Sequence, residues 1–96
     1  MPIFILSAAD IASALATLPG WSYDAAERKL KRSWKFKDFR EAFAFLTRVA
    51  FEAEQLGHHP EIFNCWNAVE LKLNTHDAGD KVTQKDVDLA KAVSGI

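Results

Sequence analysis

The stretch from Phe39 to Leu56 constrains this chain more than any other. At helical periodicity Phe39, Ala42, Phe43, Leu46, Val49, Ala50 and Ala53 form one apolar stripe, with Phe45 and Leu56 at its edge. Asp38 and Glu41 have the spacing of a capping box at its start. Gly57 stands where a left-handed residue ends a helix. An amphipathic helix of this length needs an apolar layer to lie on. Phe51 and Ala44 fall off the stripe, which points to a second buried surface, such as another subunit.

The flanking segments predict that layer. Ser7 and Asp10 open a helix over Ala8 to Leu18, in which Ile11, Leu15 and Leu18 recur at helical spacing before Pro19-Gly20 ends it. Trp21-Ser22-Tyr23 reads as a short strand. From Lys29 to Phe36 residues alternate: Leu30, Trp34 and Phe36 share one face, and Lys29, Lys31, Ser33 and Lys35 the other. Arg32 interrupts the apolar face. Ile62 to Trp66 is a strand, Asn67-Ala68 a tight connection, and Val69, Leu71 and Leu73 the core side of a further strand. A loop over residues 77–82 contains Gly79. Thr83 and Asp86 then cap a last helix with Val87, Ala90 and Val93 inward. The order α-β-β-α-β-β-α predicts an α+β fold, a four-stranded antiparallel sheet with helices on one face.

With 96 residues, one domain spanning 1–96 is expected. Net charge is −1, so no global field draws the chain to nucleic acid or to an anionic membrane. Six of the 12 basic residues lie between Arg28 and Lys37, but the aromatic residues there have the opposite parity to most of the lysines. A solvated strand face with lysines guarding an edge is the better reading than a stacking surface for bases. The apolar run Ile3–Leu6 is too short for a signal peptide, and no apolar stretch is long enough to span a bilayer. A cytoplasmic location is expected. The single cysteine, Cys65, forms no intrachain disulfide and reads as a small packed hydrophobe within a strand.

All three histidines, His58, His59 and His76, fall within residues 58–76. His58 and His59 follow a helix C-terminus, whose partial negative charge favours an imidazolium, and Glu54 stands four residues before His58. Pro60 biases His59 to extended backbone. His76 ends a strand off its core face. Three readings stay open on this pattern: a surface histidine pair before a proline, acid–base chemistry by groups that titrate near neutrality, and a zinc site with Cys65. Adjacent histidines suit zinc poorly, because neighbouring side chains diverge.

Glu54, His58-His59-Pro60, Trp66, His76 and Asp86 resemble the signature of the pterin-4a-carbinolamine dehydratases. Pro19-Gly20-Trp21, Phe36-Lys37-Asp38-Phe39, Leu46-Thr47-Arg48-Val49-Ala50 and Thr75-His76-Asp77-Ala78-Gly79 extend the likeness over most of the chain. The resemblance implies dehydration of 4a-hydroxytetrahydropterin to quinonoid dihydropterin, with no cofactor and no metal. It implies catalytic roles for His58, His59 and His76, with His58 and His76 as acid–base groups and His59 orienting the pterin. It also implies pterin contacts from Pro60, Thr75, Asp77 and Ala78, and supporting roles for Glu54, Asp86 and Trp21, the last as a pocket wall. Asp86 is a helix cap by its spacing from Thr83. Trp66 stands where tyrosine is commoner and Cys65 where valine is usual, so both read as packing; the loop from Gly79 to Asp86 runs one residue longer than in many members. The family assembles as homodimers or homotetramers, here through the 39–56 helix, and its animal members also serve as a dimerisation cofactor of a homeodomain transcription factor.

Overall fold

The structure is a computed structural model that describes residues 4–96. Ile3, which opens the apolar N-terminal run, lies outside the described residues. The elements are α1 (Ala8–Leu15), β1 (Ser22–Asp24), β2 (Lys29–Lys35), α2 (Phe39–Leu56), β3 (Glu61–Cys65), β4 (Ala68–Leu73) and α3 (Gln84–Ser94), with a single 3-10 turn at His76–Ala78. The four strands form an antiparallel sheet in the order β1-β2-β4-β3. No helix is long and apolar enough to cross a membrane among the described residues.

Strand alternation assigns the two faces. Leu30 pairs with Leu73, Arg32 with Leu71 and Trp34 with Val69 across β2 and β4, and the four aliphatic residues are buried beneath the helices. Lys29, Lys31, Glu61, Glu70 and Lys72 lie on the opposite, open face. There they pair in opposite signs: Lys29 Nζ with Glu61 at 2.7 Å, Lys31 Nζ with Asp24 at 3.4 Å and Lys72 Nζ with Glu27 at 2.8 Å. Lys29 and Lys31 of β2 are thus matched by carboxylates. Hydrogen bonding to the Lys72 ammonium holds the Glu27 carboxyl below its ordinary range and raises Lys72 in turn.

Arg32 stays on the helix side because an aromatic ring receives it. Its guanidinium carbon lies 4.7 Å from the Trp34 ring centroid. It also crosses Gly20, whose φ of +86° needs a residue without a Cβ: a methyl there would come within 2.8 Å of Arg32 Nε.

Several expectations change. α1 ends at Leu15, not Leu18; the chain tightens into turns, with Leu18 N–H donating to Leu15 O, because Pro19 disfavours helical geometry at Leu18. Leu18 is nevertheless fully buried. On α2 only Ala42, Leu46, Val49 and Ala53 are buried, whereas Phe39, Phe43 and Ala50 of the expected stripe are exposed. Phe45, at its edge, instead packs against Trp34 and Phe36. Cys65 is exposed, because its parity on β3 turns it to the open face of an edge strand. Trp66 is exposed in the β3–β4 turn, at φ +49°, and is not packed. Leu89, not anticipated as core, is fully buried on α3.

Ahead of α1, the chain returns to the sheet's end. Leu6 N–H donates to Val82 O at 3.0 Å, and Ile5 forms an isolated bridge with Thr83.

Candidate active site

Three segments meet at one end of the sheet: the exit of α2, the exit of β4 and the entry of α3. Gly57, in left-handed geometry at φ +65°, ends α2 and turns the chain so that His58 goes inward and His59 outward. β4 then delivers Thr75, buried, and His76, exposed. At the start of α3, Thr83 and Asp86 form a reciprocal capping box.

Asp86 has no solvent exposure and binds three groups. Its Oδ2 accepts the Thr83 N–H and the Thr75 hydroxyl, both at 2.9 Å, and its Oδ1 lies 2.5 Å from His58 Nε2. Thr75 and Thr83 hydroxyls are 2.6 Å apart. Counting hydrogens gives this network a direction. The one Thr75 hydroxyl hydrogen goes to Asp86, so the Thr83 hydroxyl donates to Thr75 and accepts the Lys85 N–H. An ionised Asp86 offers only acceptors, so His58 Nε2 carries a hydrogen and Nδ1 is the nitrogen left for the cleft.

His76 is held the other way round. Its Nδ1 lies 2.8 Å from Asp80 Oδ1, which leaves Nε2 as the outward nitrogen. Its side chain is 93% exposed, against 10% for His58. One imidazole is therefore fixed in the protein and the other stands in solvent on a single hydrogen bond. His59 Nε2 is 3.7 Å from Glu54 Oε1, an ion-pair distance too long for a hydrogen bond. Glu54 thus faces His59, not His58, whose carboxylate partner is Asp86.

All three histidines line a hollow of about 240 Å³, together with Gly57, Asn74, Thr75, Asp77 and Lys85. A larger hollow of about 470 Å³ continues from it past His59, Asn74 and His76 to Pro60, Glu61 and the β1–β2 turn. Of the expected contact residues, Pro60, Thr75 and Asp77 line the cleft, while Ala78 lines neither hollow. Trp21, expected as a pocket wall, is buried in the core; its indole N–H donates to Ser94 Oγ at 2.9 Å and its ring packs edge-on against Trp34. Cys65 sits at the far end of β3 from the histidines, which removes it from any ligand set with them. No cluster of three or more His, Cys, Asp or Glu is arranged to hold a metal ion among the described residues. Sequence reasoning missed Asn74, Asp80 and Lys85; only the i,i+4 spacing of His76 and Asp80 carried a signal.

A family model described as pterin 4 alpha carbinolamine dehydratase matches residues 5–96. The chain belongs to the pterin-4a-carbinolamine dehydratase family. Within this family of lyases, it is 49% identical over 87 residues to a protein of Opitutus terrae assigned as a pterin-4-alpha-carbinolamine dehydratase, covering 91% of this chain and 88% of that one. A protein of Rhizorhabdus wittichii with the same assignment is 46% identical over 96 residues, covering 100% and 98% of the two chains. The crystal structure of a Brucella melitensis protein described as a transcriptional coactivator/pterin dehydratase superposes with a TM-score of 0.90 at 38% identity, covering 96% of this chain and 97% of that one. The dehydratase family's α+β fold, expected from the order of elements, is the fold of this chain.

Proposed function

We propose that the protein dehydrates a 4a-hydroxytetrahydropterin to the quinonoid dihydropterin by histidine acid–base catalysis, as one domain working in the cytoplasm. The observation that carries this reading is the sharing of one hollow by His58, His59 and His76. The substrate is a carbinolamine, with a hydroxyl on C4a beside the ring nitrogen N5. Its C4a–O bond breaks, the hydroxyl leaves with an added proton as water, N5 loses its proton, and a C4a=N5 double bond forms. Two proton carriers are needed, on different sides of one small ligand. His58, with Nδ1 toward the cleft, is suited to accept a proton in fixed geometry. His76, solvated and held only by Asp80, is suited to deliver one to the departing hydroxyl and to recover it from water. His59 and Pro60 border the ring, and Asp86 positions His58 without touching substrate.

Rapid-mixing assays of the 4a-hydroxy intermediate test this. Purified protein accelerates its decay, and His58→Ala and His76→Ala each slow turnover by about 100-fold or more. Full activity in the double variant overturns the mechanism.

The outer side of α2 supports a second copy as partner. Phe51, opposite the buried stripe, is 71% exposed, and Phe39, Phe43 and Leu56 are exposed along the flanks of that stripe. A homodimer or homotetramer through α2 covers them. The Brucella protein's description as a coactivator supports an interaction role as the second reading. A catalytically dead variant that keeps its full biological effect and a bound helical partner favours that reading over dehydration.

A further inference from the structure

The larger hollow beside the histidines reaches beyond the residues assigned to the dehydration chemistry. It opens from the catalytic hollow across His59, Asn74 and His76, and its far wall is the β1–β2 turn, Glu27, Arg28 and Lys29. A ligand whose reacting atoms lie among the histidines would extend any substituent toward this turn.

The charges around it are mostly spent. Lys29 Nζ is paired with Glu61 at 2.7 Å, Glu27 with Lys72 at 2.8 Å and Asp80 with His76 at 2.8 Å. Arg28 has no carboxylate partner among the described residues. Its backbone is fixed by the turn: the Arg28 N–H donates to Asp24 O at 2.7 Å, and Asp24 Oδ1 accepts the Glu27 N–H at 3.0 Å. Arg28 adopts φ +59°, a left-handed geometry that glycine or asparagine would fill with less strain. The turn therefore carries an arginine where its backbone favours another residue, on the wall of a hollow whose carboxylates are already matched.

We infer that this hollow is a subsite for the substituent at C6 of the pterin, and that Arg28 selects tails ending in an anionic group, a phosphate or a carboxylate. The inference rests on the dehydratase reading for the identity of the bicyclic ring. A guanidinium is suited to such a group because its planar fork meets two oxygens at once.

Calorimetric titration with 7,8-dihydroneopterin and its 3′-monophosphate tests it, since these probes differ only in the phosphate. Wild-type protein at low salt is expected to bind the phosphorylated probe about three- to fivefold more tightly, the range of a solvent-exposed charge pair. Arg28→Asn and Arg28→Gly, which both suit the turn, abolish that preference without lowering the thermal midpoint; high salt weakens it in wild type. Equal binding of the two probes by wild type, or a preference retained in both variants, overturns the subsite. Turnover of a 6-methyl carbinolamine, measured separately, isolates the underlying reading. Turnover without phosphate preference removes only the subsite, and preference without turnover removes only the dehydratase activity.

Discussion

His58 Nε2 lies 2.5 Å from Oδ1 of Asp86, a carboxylate with no exposed surface that also closes the capping box of α3. One side chain thus starts a helix and sets the tautomer of an imidazole. Asp86→Asn separates the two tasks. The amide oxygen can replace Oδ2 and keep the Thr83 N–H and the Thr75 hydroxyl, but the amide NH₂ then faces His58 Nε2 and forces it to accept. The ring hydrogen moves to Nδ1, toward the cleft, and the base is lost. A folded protein with turnover down about 100-fold is expected, and nitrogen NMR shifts should report the exchanged tautomer. Asp86→Ala leaves the buried donors unmatched and costs about 3 kcal/mol in urea titration.

Gly20 sits under the Arg32 guanidinium, and Gly57 faces open space. Both have positive φ, so alanine strains the backbone at each. Only at Gly20 does the new methyl also meet a side chain, which pushes Arg32 off Trp34. Gly20→Ala is expected to cost about 2 kcal/mol, the sum of backbone strain and the cation–π contact, and Gly57→Ala about 1 kcal/mol. Denaturant midpoints at unchanged slope would show it; equal losses at the two positions would contradict this account.

Phe51 tests the assembly proposed for α2. Phe51→Glu places a charge on the outward side of α2, where Phe51 is 71% exposed. Sedimentation equilibrium should find wild type as a dimer or tetramer and the variant shifted toward monomer. A monomeric wild type at micromolar concentration counts against a second copy on α2.

The order of elements was legible because each helix begins with a capping pair and the two central strands, β2 and β4, alternate. What alternation left open was which strand lies at an edge. The order β1-β2-β4-β3 leaves β3 with one neighbour, so Ile62 and Phe63, apolar on both parities, are exposed, as are Cys65 and Trp66. The histidines stood out by type and crowding, yet their convergence depends on where β4 exits beside the end of α2. Asp86 read as a cap and is one; its contact with His58 spans 28 residues and left no local mark. Arg28 looked like one more cation in a basic strand, since its place on the cleft wall follows from a turn geometry that arginine seldom adopts.

Thr83 adds a consequence at the other end of the chain. Its bridge to Ile5, and the bond from Leu6 to Val82, tie the segment before α1 to the residue that orients Thr75 and, through it, Asp86. Trimming the residues ahead of Ser7 would strip a backbone tether from Thr83 and let water reach the hydroxyl relay. The order of His58 would fall even though no cleft residue had been removed, so what is fused to or cut from the amino terminus is a choice about the buried imidazole of the cleft.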